Sequence, residues 1–430
     1  MTGHVMILDS DQPSSDERPR TREFFLARQP ILDARGSTVA YELLFRRAQT
    51  GSANVIDDLS ATASVIAHAS ELGIGNVIGN ALGFLNVDAA VLDCDIVSFL
   101  PHDKVVLELL ETVEITPAVV ARVTELVAHG YAFALDDVVC RNDALQPLLP
   151  LIRIVKIDIS GMENADIAAL AGYFKQQGKI LLAEKVETCE QFRQCLAIGF
   201  DYFQGYYFAR PVILTGRKLA PSQIVILQLI TMIGRDAETC EIEQAVKKEP
   251  LLAMNLLRLA NAPAFGVATR IESLGQALAV LGRLQLQRWL QILLYAEHGK
   301  DGYFSSPLLQ LATTRGKLLE LVAERLAQTR ACRADMAFTV GVMSLMDTLL
   351  GQPMQEILSQ IAVVDEVRDA LLFRKGVYGD LLKLSEYIER IEQAGDLLPP
   401  LLQRLGLSID ELYDLEVQAF EWSNNISRNL

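Results

Sequence analysis

The chain has 430 residues, half of them hydrophobic, which is too apolar for global disorder and long enough for two or three domains of ordinary size. Its 54 Asp+Glu against 39 Lys+Arg leave a net charge of -15, which argues against long nucleic acid as a partner but admits a small anionic ligand in one locally positive cleft. Six cysteines without a CxxC spacing fit reduced thiols, no apolar run approaches the roughly 18–20 residues of a membrane span, and no signal segment opens the chain, so a cytoplasmic protein is expected.

Residues 1–21 are polar and proline-bearing, and predict a mobile tail. From 22 to 211 a cycle recurs, in which a short apolar or β-branched run ends in one charged or amide residue and a helix-like stretch follows. Phe24 to Leu32 and Val39 to Arg46, joined through Asp33-Ala34-Arg35-Gly36, predict an opening hairpin. Further strands are expected at Ala81 to Asn86, Lys104 to Leu109, Ala132 to Asp136, Ile152 to Asp158, Ile180 to Glu184 and Tyr202 to Gln204. Helices are expected between them, for example at Val119 to Ala128 and Ile167 to Gln176. The strand-terminal residues are Glu42, Asn86, Glu108, Asp136, Lys156, Glu184 and Gln204, and from Asn86 onward they lie 22, 28, 20, 28 and 20 residues apart. That is one strand plus one helix each time, an α/β pattern that a closed (β/α) barrel satisfies. The strand ends then converge on one mouth.

Four carboxylates, a lysine and two amides in one mouth point to a metal site for phosphoryl chemistry. Magnesium or manganese needs hard oxygen ligands, which Glu42, Asn86, Glu108 and Asp136 supply from four strand ends. Any one of them alone would read as an ordinary strand-terminal polar residue. Lys156 and Asp158 share a strand face, so the protonated lysine either holds a phosphate oxygen or the attacking water, or makes a structural ion pair. Asp136 and Asp137 point apart in a regular strand, and Asp137 reaches a second metal only if the chain bends there. Two such metals, about 3.5–4 Å apart, would serve an in-line displacement. After Pro211 the pattern changes. Residues 212–220 read as a linker, and 221–430 as an all-helical domain with leucines at three and four spacing, in which Gly282 and Gly341 are packing or capping positions.

Gln29-Pro30-Ile31, Glu42-Leu43-Leu44-Phe45-Arg46, Phe84-Leu85-Asn86, Glu108-Leu109-Leu110-Glu111, Asp136-Asp137, Lys156-Ile157-Asp158, Ala183-Glu184-Lys185-Val186-Glu187 and Gln204-Gly205-Tyr206 occur in the order of the EAL domains. The segment 22–211 resembles these cyclic di-GMP phosphodiesterases, which are built on a modified (β/α)8 TIM-like barrel. The resemblance implies that Glu42, Asn86, Glu108 and Asp136 are metal ligands, with Asp137 bearing on the second metal. It implies that Glu184 handles the metal or the nucleophilic water beside Lys156, and that Gln204 completes the polar shell. Gln29, Leu44, Arg46 and Glu187 would meet the dinucleotide, Arg46 through a phosphate. The implied reaction gives linear pGpG.

Three features depart from the family. Val138-Val139-Cys140-Arg141 replaces Phe-Gly-Thr-Gly in the loop that couples metal binding to dimerisation, so Glu111, the residue that braces it, keeps its place while its loop partner is altered. Lys185 replaces a glycine, and the span from Glu42 to Asn86 is short, implying a trimmed lid. The helical half resembles the HDOD domain over about 221–410, through Glu249-Pro250-Leu251, Leu256 to Ala262, Ile271-Glu272-Ser273-Leu274 and Ala277 to Gly282. Ser344 and Leu345 stand where HD hydrolases carry their His-Asp pair, so this half is expected to serve a protein partner and not catalysis. The expectation is a cyclic di-GMP phosphodiesterase using Mg2+ or Mn2+. A receptor that binds without cutting and a protein-binding adaptor remain as rivals, and a homodimer stays open.

Overall fold

The computed structural model describes residues 24–47, 74–205, 221–261, 271–295, 307–327, 332–361 and 363–429. The expected tail, lid and linker lie outside them. Eight strands close a barrel in sequence order: β1 (Phe24–Asp33), β2 (Thr38–Arg47), β3 (Leu82–Val87), β4 (Val105–Leu109), β5 (Ala132–Val138), β6 (Ile154–Asp158), β7 (Ile180–Glu184) and β8 (Tyr202–Phe203). β1 and β2 form the hairpin read from the sequence. β1 is therefore antiparallel to both its neighbours, β2 and β8, while β2 through β8 run parallel. Every expected strand is present, with ends displaced by at most two residues.

The period of two along each strand sets what the barrel encloses. Ile31, Ala40, Phe84, Val106, Ala134, Ile154 and Leu182 form one apolar layer inside it. Two residues further along the parallel strands from Ala40, Phe84, Val106, Ala134, Ile154 and Leu182 stand Glu42, Asn86, Glu108, Asp136, Lys156 and Glu184, on the same face and one layer nearer the mouth. The apolar layer is thus the floor of the polar one. Full burial of a side chain such as Phe84 contributes about 1.5–3 kcal/mol, and this layer helps stabilise a barrel whose upper level holds buried charge.

Two helices of the barrel begin earlier than their apolar spacing implies, at Pro117 and Asn164. Pro117 lacks the N–H that a first-turn residue would leave unpaired anyway, and Thr116 Oγ1 accepts from Val119 N at 3.3 Å. The expected strand-then-helix alternation therefore holds, with the boundary set by the cap.

The second half is helical throughout its described residues. Gly282 interrupts the helix Leu274–Leu293 with φ 67 and ψ 170, so it redirects the chain. Gly341 serves packing: a Cβ there would lie 2.7 Å from the backbone of Arg315 and Gly316 on the helix Pro307–Leu326. Beside this crossing Ser344 Oγ accepts from Arg315 Nη1 at 2.8 Å, and Arg315 forms a bidentate pair with Glu389, both contacts at 2.6 Å. Ser344 is thus a support for a buried arginine.

The last helix, Ile409–Asn429, returns to the barrel. Tyr413, Val417 and Phe420 are buried in the apolar core outside the strands, while Phe25, Ala27 and Leu44 of the hairpin join the core of the helical half. Arg28 is set between the rings of Tyr41 and Phe420, 4.4 and 4.0 Å from their centroids, and donates to Val77 O and to Asn424 Oδ1. Tyr41 also donates to Gln310. The halves share one apolar seam with a half-buried cation in it. Among the described residues no single helix is long and apolar enough to cross a membrane.

Candidate functional site

The barrel mouth gathers the strand-end residues around one ammonium. Lys156 is fully buried, with Nζ 2.7 Å from Asp136 Oδ1, 2.8 Å from Glu108 Oε1, 2.9 Å from Glu184 Oε1 and 3.6 Å from Glu42 Oε2. Gln204, just past β8, donates from Nε2 to Glu42 Oε2 at 2.5 Å and to Gln29 Oε1 at 3.0 Å, so one amide, anchored on the other, holds the fourth carboxylate. Glu42, Asn86, Glu108, Asp136, Lys156, Glu184, Gln204 and Gln29 thus form one constellation drawn from all eight strands or their ends.

Charge is not balanced in this space, since four carboxylates share one lysine. Burial pushes Glu108 well above the usual carboxylate range, Lys156 opposes this, and Glu42 and Asp136 add to it. Burial likewise pushes Glu184 up to about 8 against the pull of Lys156, with Asp136 and Glu42 reinforcing the rise. Lys156 is drawn down by its own burial, but Glu108, Glu42, Glu184 and Asp136 together hold it well above the lysine range. The lysine is therefore charged, and the carboxylates compete for it.

Several oxygens are left over. Asn86 Oδ1, Glu108 Oε2, Glu184 Oε2 and Gln204 Oε1 are buried without a hydrogen bond, and Glu108 Oε1 meets Lys156 as an ion pair without hydrogen-bond alignment. A buried acceptor left unmatched costs about 1–3 kcal/mol. Hard, partly anionic oxygens of this kind fit a divalent cation. Among the described residues no three His, Cys, Asp or Glu side chains surround a point open to a metal, because Lys156 stands where the carboxylates meet. A cation held here shares them with that lysine.

The chain bends at Asp137, the condition under which it was expected to reach a second metal. The β5–β6 register shifts between Leu135 and Val138, and Asp137 has φ 45. Its carboxylate meets Lys185, whose Nζ is 3.2 Å from Asp137 Oδ1 and 2.5 Å from Asp158 Oδ2. Burial pulls Lys185 down, but its hydrogen bonds to Asp158 and Asp137 outweigh this and hold it above the lysine range. Asp158 is raised by burial, then lowered overall by Lys185 and by Ser160, whose N–H donates at 2.8 Å. This second ion-pair group was not foreseen; the only signal was a lysine at a glycine's place.

The remaining expected residues fall around this centre. Glu187 is exposed just beyond β7, where its N–H donates to Gln191 Oε1 at 2.9 Å within the cap of the helix Cys189–Ile198. Leu44 is buried in the seam shared with the helical half. Arg46 lies in β2, and its side chain is outside the described residues. Glu111 is exposed in the turn after β4, and no residue from Val138 to Arg141 has positive φ. His102 and Asp103 occupy an exposed turn.

Gly205 lets the strand-end segments after β7 and β8 meet. It has φ 147, and a Cβ there would sit 2.4 Å from Val186 N and O, while Val186 N donates to Gln204 O at 3.0 Å. Gly205→Ala is expected to lower stability by about 1–3 kcal/mol through overpacking against backbone. Thermal denaturation checks this, and an unchanged midpoint would contradict the close approach.

The EAL domain model matches residues 92–211 and the HDOD domain model residues 219–366. The chain is 30% identical over 426 residues to the cyclic di-GMP phosphodiesterase CdgJ of Vibrio cholerae, covering 97% of this chain and 95% of that protein. It is 29% identical over 411 residues to the uncharacterized protein YuxH of Bacillus subtilis, covering 94% and 98%. The solved manganese and cyclic di-GMP complex of Klebsiella pneumoniae BlrP1 is 24% identical, with TM-score 0.37, covering 44% of this chain and 55% of that one. From the barrel with its polar mouth, the helical half that follows and a relative similar from end to end, the chain belongs to the EAL–HDOD family.

Proposed function

We propose that the barrel binds cyclic di-GMP and hydrolyses one of its phosphodiester bonds to linear pGpG, using Mg2+ or Mn2+, and that the helical half is a non-catalytic interaction domain. The observation that carries this reading is the set of buried, unmatched oxygens on Asn86, Glu108 and Glu184, with both glutamates paired to a single ammonium. The activity for which the Vibrio cholerae relative is named supports it.

Glu42, Asn86, Glu108 and Asp136 would hold the cation. When bound, it supplies Lewis-acid chemistry for displacement at phosphorus. Glu184 would take the proton of the attacking water through Oε2, which is buried and unengaged. Lys156 offsets the carboxylate charge and would steady a phosphate oxygen. Gln204, braced by Gln29, keeps Glu42 in place. Gln29 and Glu187 would meet the dinucleotide at the rim.

A receptor that does not cut its ligand is the second reading. It is favoured by Lys156 standing at the meeting point of the carboxylates and by the glycine-free segment after Asp137. The test is to incubate the full chain with cyclic di-GMP and manganese and to follow pGpG by chromatography, with binding measured in parallel in calcium. Appearance of pGpG is the expected result. Tight binding without product selects the receptor, and absence of both rejects either role.

A further inference from the structure

Lys185 places a fixed positive charge beside the mouth that the proposed chemistry does not use. It follows Glu184 directly and has φ 55, while Asp137, which it faces, has φ 45. Left-handed backbone disfavours residues with a Cβ by about 1–2 kcal/mol each, so two such residues aimed at one another need a compensating contact. The contact is the bridge from Nζ to Asp137 Oδ1 at 3.2 Å and Asp158 Oδ2 at 2.5 Å. Asp158 is further fixed by the Ser160 N–H at 2.8 Å. Both carboxylates are oxygen donors of the sort that a second divalent ion needs, and Asp137 is the residue expected to bear on that ion.

We propose that the Lys185 ammonium is a tethered cation between Asp137 and Asp158, and that it confines divalent metal binding in the barrel mouth to a single ion. The inference rests on the metal-dependent reading above and deepens it. Of the first group of expected ligands, Glu42, Glu108 and Asp136 meet Lys156, while Asp137 and Asp158 answer to a different lysine. A divalent ion entering between Asp137 and Asp158 would have to displace an ammonium that is covalently attached and always present at high local concentration. The Lys185 side chain is half-exposed, so its charge remains open to an anionic ligand above the mouth. One mobile cation and one built-in cation would then share the work of two metals.

The test counts manganese. The full-length protein is stripped with EDTA, dialysed and titrated with manganese chloride alone, with free Mn2+ read by electron paramagnetic resonance. Wild type is expected to bind one ion per chain. Lys185→Gly, which also relieves the left-handed backbone, and Lys185→Asn, which tolerates it, are each expected to bind two, and Lys185→Arg one. Two ions on wild type overturn the inference, as does a count of one on both uncharged variants, and each leaves the phosphodiesterase reading intact. No manganese on any of the four proteins removes both readings.

Discussion

Lys156→Met is expected to destabilise the metal-free protein by about 3–5 kcal/mol near pH 8, the cost typical of deleting one partner from a buried ion pair. The lysine is fully buried and lies within 2.9 Å of oxygens on Glu108, Asp136 and Glu184. Methionine fills similar volume, so the loss reports charge and not a cavity. The pH dependence follows from the directions of the shifts. Lys156 is raised, so its contribution is fully present below the ordinary lysine range and is lost only as pH climbs through its higher folded value. Glu184 is raised to about 8, the reverse of a paired carboxylate. Between the ordinary carboxylate range and about 8 the folded chain keeps a proton there that the unfolded chain has released, so this group makes stability fall as pH rises. Without Lys156, which holds these carboxyls down, that fall should steepen and extend to higher pH. Urea denaturation at pH 5 and pH 8 in EDTA should show the larger deficit at pH 8, with manganese restoring part of it. Equal deficits at the two pH values would mean that the carboxylates do not depend on this lysine.

Glu42→Ala should separate activity from stability. Loss of even an outer-shell partner of a metal ligand commonly costs about 10–100-fold in activity or affinity, and a direct ligand should cost more. Turnover of cyclic di-GMP is therefore expected to fall by more than about a hundredfold. Stability should move little or rise, because the substitution removes one of four carboxylates that repel each other around a single ammonium. Gln204 Nε2 loses one acceptor but retains Gln29 Oε1 at 3.0 Å. A variant that loses activity and unfolds at markedly lower urea would indicate a scaffold role for Glu42. A variant that keeps its turnover would remove Glu42 from the chemistry.

The mouth was legible because two regularities coincide. Spacing put Asn86, Glu108, Asp136, Lys156, Glu184 and Gln204 at the ends of successive βα units, and strand alternation turned Glu42, Asn86, Glu108, Asp136, Lys156 and Glu184 inward above the apolar layer. Both are local rules. What stayed hidden depends on contacts between distant segments. Asp137 and Lys185 are 48 positions apart, and their pairing requires left-handed backbone at two residues that seldom adopt it. Arg28, just before the Gln29-Pro30-Ile31 motif, carried no assigned role, and its partners Phe420 and Asn424 come from the far end of the chain. The resemblance implied that Leu44 meets the ligand, yet its side chain is buried in the seam with the helical half.

That seam has a consequence for biosynthesis. Tyr413, Val417 and Phe420 complete the outer packing of strands that begin at Phe24, and they belong to the 21-residue helix Ile409–Asn429. A nascent chain still held by the ribosome at that helix has translated every strand but cannot yet cover the hairpin flank. The barrel half is thereby left with an oily side open to chaperones and proteases until that helix has emerged, and a chain cut before Tyr413 would keep that side exposed.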